Sequence, residues 1–348
     1  MLMATWDGAG NFPPERALVH ALATRGHALL VLGHLSQRDA VEADGVTFLP
    51  LTGALDSADR DHERSVFQDV MMGEGLGVDL TAAIGEVHPD LLLVDCALTA
   101  ALRAAKASGL PTVALVHTLY SFIAATPFRE PTEACDLILV FSYRRFDAAA
   151  SAPANVAYVG PLRPPAGQPT PWPRLFPGRP FVIASLSTSH QRQEAVLQTL
   201  CDALGGLEVE AVVTSGRGIA PEALAAADNV TVVRHVEHEA VLGQADLLIT
   251  HAGHGTAMAG ASAGVPMLCL PMGRDQPRVA AEVVRLGLGA SLDPAASVDE
   301  LRGAITALLA DEGVRPRSRA FAEAVAGETD AARAAALVEA LLAAGARP

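Results

Sequence analysis

Short runs of apolar residues alternate along the whole chain with longer stretches in which apolar residues recur at helical spacing. The short runs favour buried strands, and the longer stretches, which are rich in Ala and Leu, favour helices. Strands that alternate with helices predict a parallel sheet covered by crossover helices. In the first half of the chain the predicted strands are Met1–Thr5, Ala28–Gly33, Val46–Pro50, Leu91–Asp95, Thr112–Val116, Leu137–Phe141 and Val156–Val159.

A proline-rich segment interrupts this alternation near the middle of the chain. Between Gly160 and Pro173 six residues are proline, a density that excludes a helix or a central strand and predicts a linker. Two further helices are predicted near the end, from about Val298 to Ala310 and from Thr329 to Leu342. The predicted strands after the linker are Phe181–Leu186, Val209–Thr214, Val230–Val233, Leu247–Thr250 and Met267–Leu270.

The pattern predicts an α/β protein with two doubly wound, Rossmann-like domains that face a cleft. We expect an N-terminal domain at residues 1–162, the linker at 163–179 and a C-terminal domain at 180–348. As an alternative, the last helix of the C-terminal domain packs back on the N-terminal domain. Because ligands bind beyond the carboxyl ends of parallel strands, the cleft is the expected active site.

Composition and charge narrow the class of protein. Half of the residues are hydrophobic and 18% are charged, so the chain has ample apolar surface to bury and is not disordered as a whole. The 39 acidic residues outnumber the 25 basic ones, which gives a net charge of -14. Such a surface repels phosphate backbones and argues against nucleic acid as a partner.

The cysteines and the longest uncharged stretch indicate the compartment. Four cysteines lie far apart without a C-x-x-C pair, which predicts small buried residues in a reducing environment rather than a disulfide framework or a zinc site. The stretch from Leu110 to Phe128 is uncharged but carries two prolines and a histidine, so we expect no membrane span. Since the chain starts without a basic targeting segment, we expect a cytoplasmic protein.

A glycine-rich turn follows the predicted strand at Leu247–Thr250. Residues 251–256 have the sequence H-A-G-H-G-T and lead into a predicted helix. Glycine at 253 and 255 lets a ligand approach the backbone, and the first N–H groups of the helix are unpaired donors at its positive end. His251 adds a ring N–H and Thr256 a hydroxyl, so the pattern predicts an anion site. A turn that uses glycine for geometry alone is the alternative.

The residues around this turn carry a resemblance to a known family. H-x-G-x-G-T at 251–256, G-V-P at 264–266 and P-x-x-x-D-Q at 271–276 together resemble the donor-binding signature of GT-B glycosyltransferases of the GT1 type. This family includes the macrolide and other natural-product glycosyltransferases and the UDP-glycosyltransferases. The resemblance extends over about residues 181–289, and R-G-H at 25–27 is similar to the family's motif before the second strand.

The resemblance implies that each matching position binds part of a nucleotide-diphosphate sugar. Asp275 and Gln276 would bind the sugar hydroxyls, because their side chains can accept from and donate to vicinal hydroxyls. Val236 and His238 would lie beside the nucleobase. The diphosphate would be held by six residues, namely Ser187, Thr188, His251, Gly253, Gly255 and Thr256.

Three positions depart from the family pattern. His235 stands where relatives often have an aromatic ring, Ala259 where an acidic residue can contact the ribose, and Val279 where an asparagine is common. These departures leave the diphosphate and sugar contacts intact. They leave open whether the donor carries TDP or UDP.

Inverting sugar transfer needs a group that takes a proton from the acceptor hydroxyl. Family members commonly have a histidine after the first strand where this chain has Asn11, which can orient a hydroxyl or a water but cannot act as a base. The resemblance places the partner carboxylate at Asp95, which is the predicted base if burial raises its pKa; a helix cap is the alternative. Asp7, His62 and His117 are other candidates, and an acidic phenol or a nucleophilic ring carbon would need little help.

The resulting hypothesis is an inverting, metal-independent glycosyltransferase. Its co-substrate would be a TDP- or UDP-sugar, and its acceptor a small, largely apolar natural product. No metal or other cofactor is expected, since Asp59-Arg60-Asp61, although spaced like a GT-A metal motif, lies in a charged run remote from the donor motif. A homodimer stays open, as do two rival functions: a nucleotide-sugar epimerase of the same fold and a catalytically weak nucleotide-sugar-binding auxiliary protein.

Overall fold

The computed structural model describes residues 1–8, 10–52, 73–148, 151–164, 170–186 and 193–345. The chain divides into two compact units. The first contains Met1–Pro165 and Glu328–Pro348, and the second contains Ala166–Gly327. The predicted C-terminal domain extended to residue 348, whereas the structure groups the last helix with the first unit.

The first unit is built on a parallel sheet of seven strands in the order β3-β2-β1-β4-β5-β6-β7. Apolar side chains form a core on each face of this sheet, as expected for parallel strands that helices cover on both sides. The strands are β1 (Leu2–Ala4), β2 (Leu30–Gly33), β3 (Thr47–Pro50), β4 (Leu92–Asp95), β5 (Thr112–Val116), β6 (Leu137–Val140) and β7 (Val156–Tyr158).

Six helices of the first unit precede the linker in the part of the chain that the structure describes. They are α1 (Phe12–Thr24), α2 (Arg38–Ala43), α3 (Gly75–Val87), α4 (Thr99–Ser108), α5 (Tyr120–Ile123) and α6 (Arg129–Glu133). Helix α1 has Pro13 and Pro14 in its first turn, where proline costs no intrahelical hydrogen bond. Gly26 follows α1 with a φ of 90°, the left-handed conformation that commonly ends a helix.

The second unit repeats the strand order of the first. Its six parallel strands have the order β10-β9-β8-β11-β12-β13. The predicted α/β fold with two doubly wound sheets is therefore confirmed. The strands are β8 (Phe181–Ser185), β9 (Glu210–Thr214), β10 (Val230–Val233), β11 (Leu247–Thr250), β12 (Met267–Cys269) and β13 (Gly289–Ser291).

Helices of the second unit cover this sheet. They are α7 (Glu194–Gly205), α8 (His238–Leu242), α9 (His254–Ala263), α10 (Gln276–Arg285), α11 (Val298–Ala310) and α12 (Val314–Val325). Helix α11 begins with a capping box, in which Ser297 and Glu300 satisfy each other's backbone N–H groups. Within the described ranges no helix combines the length and the apolar character that a membrane span requires.

The last helix, α13 (Ala331–Gly345), packs on α1 within the first unit. Ala334, Ala335 and Val338 lie in the same apolar core as the buried face of α1. Glu339 accepts hydrogen bonds from Arg25 at 2.5 Å and lies 2.8 Å from Nε2 of His27. The R-G-H motif therefore anchors the end of the chain to the first unit.

Glu210 fixes the end of the linker to the second unit. Its carboxylate accepts from the backbone N–H groups of Leu175 and Phe176, each at 2.8 Å, and from Nε of Arg174 at 2.9 Å. Burial acts to raise the pKa of Glu210, but these donors outweigh it and the pKa is lowered. Glu210 is 2% exposed, so its charge depends on these partners.

We expect Glu210→Gln to lower the free energy of unfolding by roughly 3 kcal/mol, since one partner of a buried pair is removed. Because the pKa of Glu210 is lowered in the folded state, the wild type keeps this stabilisation above the unfolded-state pKa and loses it as pH falls through the folded-state pKa. The difference between wild type and variant should therefore shrink towards acid pH. Urea denaturation at several pH values measures it.

Glu208→Gln is the matched control for this prediction. Glu208 pairs with Arg179, but its side chain is 88% exposed, so we expect a change below about 1 kcal/mol. Equal effects of the two substitutions would show that Glu210 does not hold the linker.

Candidate functional site

The strand order reverses once in each sheet. In the first unit β1 lies next to β4, and in the second unit β8 lies next to β11. Connections leave to opposite faces at such a point, so the carboxyl ends of these strands stay open to ligands. Asn11 follows β1, Asp95 ends β4 and the turn at 251–256 follows β11, whereas the other described site residues follow β10 or β12.

The turn at residues 251–256 joins β11 to α9. Ala252 has a φ of 60°, and a side chain at Gly253 would collide with Nε2 of His251, so glycine is required at 253. Gly255 is exposed, and a Cβ there would meet no described atom within 4 Å. The N-terminus of α9 is therefore open at Gly255, and its binding of a diphosphate stays a prediction.

His251 is buried at the end of β11 and is neutral at pH 7. Burial lowers its pKa to about 4, and the charges of Arg274 and His238 act in the same direction. Its Nδ1 is buried and has no hydrogen-bond partner among the described residues. Buried polar atoms are nearly always paired, so Nδ1 of His251 has an unused hydrogen-bonding position.

Ser185 and Thr214 link His238, a predicted donor-binding residue, to strands β8 and β9. The sequence analysis did not identify either of them as a site residue. The Oγ of Ser185 lies 3.2 Å from Nε2 of His238, and Thr214 donates to the same Oγ at 3.3 Å. Each of the two residues is the last of its strand. In both strands an apolar run ends in a hydroxyl residue, and this pattern could have indicated the two residues.

Asp275 and Gln276 lie at the start of α10. Asp275 is half-buried, whereas Gln276 is buried and its Oε1 accepts from the backbone N–H of Met272 at 2.7 Å. Gln276 therefore fixes the loop after β12, a role that the sequence did not indicate. The contact of both side chains with sugar hydroxyls stays a prediction.

The remaining predicted donor residues are placed as follows. Thr256 is half-buried in the first turn of α9, and Val236 is buried just before α8. Ser187 and Thr188 lie outside the described residues. The proximity of Val236 and His238 to a nucleobase stays a prediction.

Asp95 closes β4 at the centre of the first sheet and is fully buried. Its Oδ1 accepts from the backbone N–H of Ala97 at 2.7 Å. Its Oδ2 accepts from Nδ2 of Asn11 at 3.1 Å and lies 3.0 Å from Nδ1 of His117. The N-cap of the following helix is Leu98, so Asp95 does not cap it.

Asp95 and His117 form an ion pair. Burial acts to raise the pKa of Asp95, but the charge and hydrogen bond of His117 outweigh it and lower the pKa to about 2. Burial acts to lower the pKa of His117, but the carboxylate outweighs it and the pKa lies well above 6.5. The structure thus shifts the pKa of Asp95 opposite to the direction that a base needs.

Asn11 holds the carboxylate of Asp95 in place. Its two N–H donors bind the backbone oxygen of Trp6 at 2.9 Å and Oδ2 of Asp95 at 3.1 Å. Its Oδ1 accepts from the backbone N–H of Gly8 at 3.0 Å, and the residue is buried. With both donors used, Asn11 acts on the site through Asp95 and does not donate to an acceptor hydroxyl.

Glu15 is a site residue that sequence reasoning missed. It is fully buried on α1, and its Oε2 accepts from Oγ1 of Thr5 at 2.5 Å. Burial, followed by the charge of Asp95, raises the pKa of Glu15 well above the ordinary value of a glutamate. An acidic residue in the first turn of a helix is usually a surface residue, which hid this role.

Asp95, Cys96 and His117 offer ligand atoms that lie within 4.8 Å of one another. The 3.0 Å between Oδ2 of Asp95 and Nδ1 of His117 is a hydrogen-bond distance, and burial raises the pKa of the Cys96 thiol. A metal ligand would have to be a thiolate. The arrangement is therefore a hydrogen-bonded cluster, and the expected independence of metal stays a prediction.

The other candidate bases are not part of this cluster as far as the structure describes it. The carboxylate of Asp7 accepts from Oγ of Ser36 at 2.7 Å. His62 and Asp59-Arg60-Asp61 lie outside the described residues. All four cysteines are buried, as predicted.

Comparison with known proteins supports the resemblance seen in the sequence. Residues 198–341 match the family described as erythromycin biosynthesis protein CIII-like, C-terminal domain. The zeaxanthin glucosyltransferase of Pseudescherichia vulneris is 25% identical over 93% of both chains. The oleandomycin glycosyltransferase of Streptomyces antibioticus is 27% identical over 96% of this chain and 88% of that protein.

A solved structure supports the fold. The crystal structure of the glycosyltransferase VinC in complex with dTDP has a TM-score of 0.76 and 20% sequence identity, and the match covers 99% of both chains. The named relatives confirm the predicted resemblance and the predicted enzyme class, and the solved structure shows the fold. The chain is a glycosyltransferase that resembles the GT-B enzymes of the macrolide and natural-product type along its length, and residues 198–341 match the erythromycin biosynthesis protein CIII-like family.

Proposed function

We propose that the chain transfers the sugar of a TDP- or UDP-sugar to a small, largely apolar natural product, with inversion at the anomeric carbon and without a metal ion. One observation carries the proposal: the buried, unpartnered Nδ1 of His251 beside the open N-terminus of α9. Helix N–H groups and a neutral imidazole stabilise the negative charge that develops on a leaving diphosphate.

The surroundings of His251 favour a single displacement. Retention by two displacements would need a nucleophilic side chain of the enzyme at the anomeric carbon. Among the described residues, Arg274, His238 and Ser185 are the groups that shift the pKa of His251, and none of them is a carboxylate. A single displacement needs only a site for the leaving diphosphate and a group that takes the acceptor proton.

The comparisons support the substrate classes. The two relatives are named for oleandomycin and zeaxanthin, both natural products, and VinC was crystallised with dTDP. By extension, this chain would take a nucleoside diphosphate sugar and an acceptor of similar character. His235, which precedes Val236, is an exposed histidine, and it gives no reason to prefer thymine over uracil as the nucleobase.

Product analysis tests this function. The protein is incubated with α-linked dTDP-glucose or UDP-glucose and a panel of phenols, aliphatic alcohols and macrolide lactones, and products are examined by mass spectrometry and NMR. We expect a β-linked glycoside. An α-linked glycoside would overturn inversion, nucleotide binding without turnover would favour the auxiliary protein, and a changed sugar without transfer would favour the epimerase.

We expect His251→Ala to weaken dTDP binding by about 2–3 kcal/mol, roughly 30- to 150-fold, the effect of losing a hydrogen bond to a charged group. Since the pKa of His251 is about 4, the ring is neutral and its contribution should not change between pH 6 and 9. Titration calorimetry measures the Kd. Unchanged affinity in a variant with wild-type melting temperature would remove His251 from the site.

His20→Ala serves as the matched control for this variant. His20 lies on α1 in the first unit, whereas the turn belongs to the second unit, and we expect its substitution to leave dTDP affinity unchanged.

Activity should survive removal of divalent metal ions. The turn at 251–256 contains no carboxylate, and Mg²⁺ is bound in proteins chiefly through carboxylates and substrate phosphates. We therefore expect the same initial rate with excess EDTA as without it. Loss of activity with EDTA that Mg²⁺ or Mn²⁺ restores would contradict the metal-independent mechanism.

A further inference from the structure

The two ring nitrogens of His117 have different surroundings. Nδ1 lies 3.0 Å from Oδ2 of Asp95 and 3.8 Å from Sγ of Cys96. Nε2 has no hydrogen-bond partner among the described residues and is not among the buried polar atoms. The side chain is 21% exposed, whereas Asp95 is fully buried. The accessible end of this pair is therefore Nε2 of His117.

Asp95 determines which nitrogen of His117 carries the proton. An ionised carboxylate accepts only, so a neutral His117 places its proton on Nδ1 and leaves the lone pair on Nε2. Asn11 and the backbone N–H of Ala97 hold both carboxylate oxygens in position. The ring thus has one orientation and one tautomer, as a general base requires.

The strand order explains how His117 can take this position. Strand β4, which ends at Asp95, lies between β1 and β5 in the sheet. The loop after β1 brings Asn11 to Oδ2 of Asp95 from one side, and the residue after β5 brings His117 to the same oxygen from the other. Asn11, which follows β1, cannot act as a base, whereas His117, which follows β5 on the other side of Asp95, has a ring nitrogen that can.

We propose that Nε2 of His117 takes the proton of the acceptor hydroxyl, and that Asp95 is the positioning residue behind it. This inference rests on the proposed function. The acceptor O–H bond breaks and its proton goes to Nε2, while the oxygen electron pair forms the bond to the anomeric carbon. The bond from that carbon to the diphosphate breaks, and its electron pair leaves with the nucleoside diphosphate.

The charged groups around His117 determine the pH dependence. Asp95 and Cys96 face the ring from β4 and the residue after it, and Glu15, whose pKa is raised, lies behind Asp95 on α1. Since the ionised Asp95 stabilises protonated His117, the free enzyme holds the base protonated up to a pH well above 6.5. For alcohol acceptors kcat/KM should therefore rise with pH through the region above 6.5 and then level off.

His117→Gln tests the role directly. For an aliphatic alcohol acceptor we expect kcat to fall by about 10²–10⁴-fold, the usual contribution of a general base, with unchanged dTDP affinity and no rising pH limb. An acidic phenol that is already ionised should lose far less. His20→Gln, at a half-buried position of α1, should keep the wild-type rates.

A relocated histidine gives a second test. His117→Asn should lose activity as His117→Gln does, and adding Asn11→His should restore part of it, because residue 11 reaches the same oxygen of Asp95. Full activity of His117→Gln towards alcohols, or an equal loss towards alcohols and ionised phenols, would overturn the proposal.

The proposed function and this inference fail in distinguishable ways. If the wild type forms no glycoside with any acceptor, the proposed function fails. Nitrogen-15 NMR of the histidine rings then still tests the inference without turnover: we expect a raised pKa for His117 and an Nδ1–H tautomer that is lost in Asp95→Asn. A His117 ring with its proton on Nε2 would overturn the assignment.

Discussion

An all-parallel sheet whose strand order reverses beside its first strand is the constraint on which both units depend. At the reversal, crossover connections leave to opposite faces, so the carboxyl ends of two adjacent strands remain uncovered. Asp95 and His251 stand at such ends in the first and second unit. The apolar strands supply rigidity, and the chemistry is confined to the residues that follow them.

The two sites solve opposite electrostatic problems. In the first unit a buried carboxylate, Asp95, is tolerated because His117 supplies the opposite charge, and burial together with the charge of Asp95 raises the pKa of the neighbouring Glu15. In the second unit burial keeps His251 neutral beside Arg274 and His238. The first arrangement positions His117, the proposed proton acceptor. The second provides an uncharged ring where the proposed diphosphate binds.

Much of the fold was predictable because apolar runs and crossover helices have strong periodic signals, and the anion turn because its glycines lie at a strand end. Strand β13, Gly289–Ser291, was missed because it has no apolar run, and α12 because arginines interrupt its apolar spacing. The resemblance implied that Asp95 is the partner of residue 11, but the network that joins them to Glu15 and His117 could not be predicted. Its members are up to 106 positions apart, since it runs from residue 11 to residue 117, and only the strand order brings them together.

The return of the chain to its first unit has a consequence for synthesis on the ribosome. The second unit is complete once Gly327 has emerged, but the core of the first unit lacks α13 until the last helix, Ala331–Gly345, follows. Domains generally fold in the order in which their residues appear. In this chain the unit whose synthesis begins first is completed last. Its apolar surface beside α1 therefore remains exposed while the second unit is translated.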